Sequence, residues 1–375
     1  MRVSVARGYA LLAVSGLVLA VTACSPPSKN NATSSNAGKA ASAADLGGMD
    51  QLVAAAKKEG QLNVIALPPD WANYGEIIKA FGDKYGIKVN SAQPDASSQD
   101  EINAATQLKG QGGAPDVFDL GTAVALANTA KFAPYKVATW KDVPDALKES
   151  GGAWVNDYGG YMSIGYDSAK VPAPTSVADL LGPAYKGKVA LNGDPTQAGA
   201  AFNGIVMAAL GSGGSADDIS KGVAFFTQLK KAGNFLPVDP TSATVESGQT
   251  PLVIDWDYLN VAQGVKLKGK LGWKTVVPAN AVVGSYYVQA ISADAPHPAA
   301  ARLWEEFLYS DQGQNLWLKG GARPVRADAM SKAGTLDQTA NSALPQATGT
   351  PVFLTAAQTQ TAKDYLAANW AKAIS

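Results

Sequence analysis

One cysteine and one histidine occur in 375 residues. A single thiol rules out an internal disulfide. With no second His or Cys, the chain offers no Ser-His-Asp, Cys-His or His-rich zinc constellation. His297 stands between two prolines, in Ala295-Pro296-His297-Pro298, and reads as a surface turn before a helix. The patterns G-x-S-x-G and G-x-x-x-x-G-K-S/T are missing, so neither a nucleophile elbow nor a P-loop is encoded. Charge of one sign is lacking too. Lys+Arg and Asp+Glu both number 31 and only 17% of residues are charged, which gives nucleic-acid binding no electrostatic support. No apolar run reaches the roughly 20 residues that span a bilayer.

What is present begins with a leader. Arg2 and Arg7 precede an apolar run at 9–23, the charge pattern of a secretory signal over residues 1–23. The run closes on Val21-Thr22-Ala23-Cys24, and small residues before a Cys resemble a bacterial lipobox. The only cysteine thus falls where a lipid attachment site needs it. Acylated Cys24 would anchor an exported protein to the outer face of the bacterial cytoplasmic membrane. Residues 24–48, rich in Ser, Asn, Ala, Gly and Pro, read as a flexible tether.

The remainder is long enough for two compact domains, and 46% of the chain is hydrophobic. Apolar runs at 61–67, 87–90, 115–120, 162–166, 189–192, 251–256, 275–278 and 284–292 read as strands. Helical spacing recurs at 49–58, 73–85, 100–109, 200–210, 217–232, 298–309, 312–319 and 355–373. Strands alternating with helices predict an α/β fold built of parallel βαβ units. Residues 257–260 read as a polar continuation of the strand at 251–256, which would set Asp255 and Asp257 on one face as a glycosidase-like carboxylate pair. The residues that follow predicted strands are Trp71 and Tyr74, Thr122, Asp194 and Gln197, Trp256 and Asp257, and Tyr286 and Tyr287. Aromatics and carboxylates at strand ends make a pocket for a small polar solute with an apolar stem.

The stretch 158–197 reads YGGYMSIGYDSAKVPAPTSVADLLGPAYKGKVALNGDPTQ. Its order, G-x-GY-D…P-x-S-x-x-DLL-x-P-x-YKGKV-x-L-x-DP, resembles the extracellular solute-binding proteins of ABC importers. The likeness is to the group with spermidine/putrescine-, ferric-ion- and aminophosphonate-binding members. The segment AAARLWEEFLYSDQGQNLWLKGGARPVR (299–326) carries the same resemblance, which extends from Leu52 to about Arg326. It implies a two-lobed type II periplasmic-binding-protein fold with a ligand cleft between lobes. Lobe 1 would comprise 50–162 and 286–324, and lobe 2 would comprise 163–285. Hinge strands would lie near 161–166 and 284–291, and a C-terminal helical segment, 325–375, would pack on the lobes. The partners implied are a small solute and a membrane permease; the protein would be a monomer without cofactor, metal or catalytic residues.

Residue by residue, Trp71-x-x-Tyr74 matches the aromatic pair that polyamine binders carry after their first strand. Asp194 matches the acidic position of the loop after the YKGK strand, and Trp256 a cleft tryptophan. Gln197 and Tyr287 depart from the polyamine pattern, where acids are usual. A polyamine or other organic amine is the expected ligand, with ferric iron or an aminophosphonate as alternatives and a cell-surface glycoside-acting enzyme behind them. In ferric binders the paired tyrosines follow the strand equivalent to 251–256, where this chain has Asp-Trp-Asp-Tyr. Trp71 and Trp256 are expected to face each other across the cleft, with Asp194 or Asp257 taking the positive end of the ligand. For the anchor, Cys24→Ala should release soluble protein or stall processing. Retention on membranes with cleavage at the same bond, seen by fractionation and N-terminal sequencing, would contradict lipidation.

Overall fold

The computed structural model describes residues 37–345 and 347–375, so the leader and Cys24 lie outside the described residues. Strands β1 (Gln61–Ile65) and β2 (Lys88–Ala92) form a parallel pair. The other strands join one curled eight-stranded sheet. Its path is β3 (Val117–Gly121), β9 (Gly284–Ser292), β5 (Val155–Asp167), β7 (Leu252–Trp256) and β6 (Val189–Leu191). Three short strands lie off that path: β4 (Phe132–Ala133) on β9, and β8 (Trp273–Val276) and β10 (Arg323–Pro324) on β5. Helices cover the sheet, giving the α/β architecture expected.

The expected parallel pairing is only partly realised. β1 with β2 and β6 with β7 are parallel, whereas every pair made by β5 with β7, β8, β9 and β10, and by β9 with β3 and β4, is antiparallel. The reason is topological. Parallel neighbours need a crossover on one face, and β5 and β9 instead arrive from distant parts of the chain.

β5 is a single strand of 13 residues. Its first half, through Tyr161, pairs with β9 and β10; its second half, from Met162, pairs with β7 and β8. The crossing expected at 161–166 is therefore at Tyr161–Met162. The second expected crossing, 284–291, is corrected: β9 stays with β3, β4 and the first half of β5. The return lies in 277–283, where the Met162 N–H donates to the Val283 carbonyl at 2.8 Å.

Three further expectations are corrected. Residues 257–260 do not continue β7; they open a helix, Asp257–Lys266, so Asp255 and Asp257 do not share a strand face. Residues 37–48 are packed rather than a free tether. Buried Arg302 needs acceptors and takes the Ala40 carbonyl at 2.7 Å and that of Gly38 at 3.0 Å, and Ala37 and Ala40 are themselves buried. His297 is buried, not a surface turn. Its backbone N–H and ring Nδ1 meet the Asp116 carboxylate at 2.6 and 2.9 Å, and the hydrogen bond to Asp116 raises its pKa. Asp116 was already committed to β1, accepting from the Asn63 N–H at 2.7 Å.

The C-terminal helix, Ala356–Ile374, packs on both sides. Trp370 meets Phe226 and Phe235, and Lys363 Nζ reaches the Ala123 carbonyl at 3.4 Å. Among the described residues no helix is long and apolar enough to cross a membrane.

Glycines let β5 be approached closely where it changes partners. The register shifts between Asn156 and Gly159, a bulge that bends the strand. A Cβ on Gly159 would stand 2.2 Å from the Ser285 carbonyl oxygen. Gly159→Ala should therefore destabilise by about 1–3 kcal/mol through overpacking, read as a lower urea midpoint; an unchanged midpoint would show that the bulge relaxes freely.

Candidate functional site

A cavity of about 850 Å³ opens between the loop after β1, the 94–101 segment, the loop after β6, and the 239–273 region. These are mostly C-terminal strand ends and helix starts, the places where open α/β sheets hold ligands. Of the residues singled out in the sequence, Trp71, Asp194, Gln197 and Tyr287 line this cavity. Tyr74, Thr122, Trp256 and Asp257 do not.

The floor is acidic and buried. Asp119 comes from β3, Glu101 from the helix Ser98–Gln107 and Asp255 from β7, and all three are buried while lining the cavity. Asp119 Oδ2 accepts from the Tyr158 hydroxyl at 2.7 Å, and that hydroxyl accepts from Trp71 Nε1 at 2.7 Å. The Asp119 N–H donates to Glu101 Oε2 at 3.0 Å. Asp255 is held by Asn192 Nδ2 at 2.8 Å and by the Trp256 N–H at 2.8 Å. Burial pushes Asp255 up to about 7, against the pull of those two bonds. Burial also pushes Asp119 up to about 7, offset in part by the Tyr158 and Tyr74 hydroxyls. Glu101 is raised well above its usual range by burial and then by the charge of Asp119.

An aromatic wall stands beside this floor. Trp71 meets Tyr287 and Tyr258 edge-on, with ring centres 5.6 and 6.3 Å apart. Tyr287 stacks on Tyr158 at 5.5 Å. The expected face-to-face clamp of Trp71 and Trp256 is corrected. Trp256 is buried behind Tyr287, donates to its hydroxyl at 3.3 Å and stacks on Tyr258 at 6.2 Å. It ends a strand buried on both faces, so its ring packs inward.

Asp257 also differs from expectation. Its Oδ2 pairs with Arg323 at 2.7 Å, and its Oδ1 accepts from the Tyr161 and Tyr258 N–H groups, each at 3.0 Å. It is wholly buried and ties β10 to β5 and to the start of the helix Asp257–Lys266. Tyr74 is buried in the core, its hydroxyl accepting from Gln289 at 2.9 Å, and Thr122 donates to the Tyr286 carbonyl at 3.1 Å. Asp194 is exposed at the rim, where it caps Thr196 through the backbone at 2.7 Å and the hydroxyl at 2.6 Å. Across the mouth, Asp70 pairs with Lys266 at 3.2 Å. The floor acids Asp119 and Glu101 were passed over in the sequence. Asp119 lies inside the run Val117-Phe118-Asp119-Leu120, and a carboxylate within an apolar strand was the available signal.

Among the described residues, no group of three or more His, Cys, Asp or Glu is placed to hold a metal ion. Tyr286 and Tyr287 diverge, as alternation along a strand requires: Tyr286 stacks on Phe353 and Tyr287 on Tyr158.

A curled sheet carrying a cavity between two sets of strand ends, with a single strand shared by both, defines a two-lobed solute-binding protein. The sequence model for bacterial extracellular solute-binding proteins matches residues 114–370, and the chain belongs to that family. It is an exported substrate-binding component of an ABC-type transporter. No curated protein matches the chain. Solved structures share the fold. Iron-bound HitA from Pseudomonas aeruginosa is 22% identical, with 82% of this chain and 97% of that chain covered and a TM-score of 0.59. AfuA from Actinobacillus pleuropneumoniae with fructose-6-phosphate is 16% identical, covering 83% and 97%, at 0.62. A putative spermidine/putrescine transporter protein from Listeria monocytogenes is 12% identical, covering 84% and 98%, at 0.62.

Asp257→Asn should lower stability by roughly 3 kcal/mol, since it strips the partner from a largely buried guanidinium. The loss should appear in the urea midpoint; a variant as stable as the parent would show the pair to be dispensable.

Proposed function

We propose that this protein captures an organic cation, a polyamine or another amine, and delivers it to a membrane permease. The observation that carries this reading is the charge of the cleft. Eight carboxylate residues line it, Glu101, Asp119 and Asp255 at the floor and Asp70, Asp95, Asp100, Asp194 and Asp239 toward the rim, against one lysine, Lys266. A desolvated ammonium gains most from such a lining. A phosphate or phosphonate would meet repulsion there. Trp71, Tyr287 and Trp273 add aromatic faces and edges to the lining, and a cation over an aromatic face gains about 0.5–2 kcal/mol.

Lobes of roughly 50–162 plus 286–324 and 163–285 would close on the solute about the crossings of the shared sheet, and the permease would read the closed form. In this proposal the protein acts as a monomer held to the membrane through Cys24. Asp194 and Gln197, on the loop after β6, would meet the solute as the lobes close. The divergent rings of Tyr286 and Tyr287 favour the amine over ferric iron.

A thermal-shift screen tests the reading. Polyamines and simple amines should raise the melting temperature, with about 2.7 kcal/mol of added stability at 100 times Kd. Sugar phosphates, phosphonates and ferric salts should not. Trp71→Ala should weaken the amine by about 1–3 kcal/mol in calorimetry. Stabilisation by anionic solutes alone would overturn the proposal.

A further inference from the structure

Most carboxylates of the cleft already have partners. Asp255 is held through both oxygens, Asp194 caps its own loop, Asp70 pairs with Lys266, and Asp100 caps the helix that begins at Ser98. Asp119 differs. It is 6% exposed, its Oδ2 is taken by Tyr158, and its Oδ1 is buried with no hydrogen-bond partner. The Tyr74 hydroxyl favours the ionised form of Asp119 but makes no hydrogen bond of good geometry to Oδ1. A buried acceptor without a donor is costly, by about 1–3 kcal/mol. Here the orphaned oxygen belongs to a residue that lines the cavity, beside Trp71 and Tyr287.

Resting on the amine reading above, we propose that Asp119 is the group that pairs with the ligand's ammonium, and that binding drives a proton off this carboxyl. An N–H of the ammonium would satisfy Oδ1, while Tyr158 keeps Oδ2 and, through its bond from Trp71, fixes the carboxylate beside the aromatic wall.

The surroundings explain why a proton is involved. The groups that face Asp119 are Glu101 on its helix, Tyr74 on the helix Tyr74–Tyr85, Asp157 and Tyr158 on β5, Tyr287 on β9, Tyr258 on the helix Asp257–Lys266 and Tyr309 at the end of the helix Pro298–Leu308. None is basic. The groups around Asp119 therefore offer its charge hydroxyls but no counter-cation, and burial holds it up at about 7. An ammonium supplies the missing charge, which favours the ionised form. Binding below that value must release a proton, so affinity rises with pH. It should climb about tenfold from pH 6 to pH 8 and then level off, since the ligand amine stays protonated.

The test is calorimetry on the full exported protein with putrescine, spermidine and ethanolamine as probes, from pH 6 to 8. At pH 7, buffers of different ionisation heat should report about half a proton released per amine bound. Asp119→Asn should weaken the bound amine by about 30-fold or more at pH 8 and flatten the pH profile. Tyr158→Phe removes a donor to the carboxylate but no charge, and should shift the midpoint of the profile upward. That variant, checked for folding by its unliganded melting curve, keeps the test open if Asp119→Asn fails to fold. If an amine binds but Asp119→Asn binds like the parent, or the profile is flat and Tyr158→Phe leaves it so, the Asp119 assignment falls while the amine reading stands. If none of the amines binds the parent protein, both fall.

Discussion

Strand β5 is bonded along both edges and belongs to two half-sheets at once. Everything else is arranged about that constraint. Its first half takes β9 and β10, its second half β7 and β8, and the exchange falls between Tyr161 and Met162. A strand that changes neighbours needs a bulge and room for approaching backbone, and the Gly159-Gly160 pair supplies both. A Cβ on Gly160 would lie 2.5 Å from Asp257 Oδ1. The same crossing places Asp257 under β5, where Arg323 must neutralise it. The two half-sheets are joined at this exchange, along 277–283 and through the C-terminal helix, which contacts both sides.

The acids at the cleft floor follow from that geometry. β3 and β7 sit in different half-sheets, and each ends at the cavity with a carboxylate, Asp119 and Asp255. Both are raised to about 7 because burial costs more than the local hydrogen bonds return. A core built for stability alone would place apolar residues there. Desolvated acids at this opening of the sheet are what the proposed amine would meet. The aromatic wall serves the same end: Trp71, Tyr158 and Tyr287 are locked by stacking and hydrogen bonds, so little side-chain freedom remains to be lost when a solute arrives.

Much of the element order was legible in the sequence. The strand 284–292 was read with the bounds it has, and most helices fell within a few residues, because caps, glycine stops and periodic apolar faces are local signals. The misses share a cause. Asp257-Tyr258-Leu259-Asn260 looked polar in the alternating way of an edge strand, yet a helix starts there because Asp257 is drawn beneath β5 by Arg323. His297 looked exposed between prolines, yet Asp116, far away in sequence, needed its donors. Trp256 looked like a cleft residue and is core, whereas Trp71, in an equivalent position after β1, reaches the cavity.

The sequence by itself determined the class of the protein, the alternation of strands and helices, the lack of a second cysteine or histidine, and the loops from which the cleft would be built. These depend on residue type and on spacing along the chain. Tertiary structure alone decided which carboxylates are neutralised internally and which keep an acceptor unpaired. Asp119, Asp255 and Asp257 are equal as letters in apolar runs or at their ends. One faces Arg323, one is held by an asparagine and a backbone N–H, and one, in a residue that lines the cavity, keeps a buried oxygen unpaired. That difference arises from partners distant in the chain. Desolvation and charge pairing depend on distance in space, which no local pattern records.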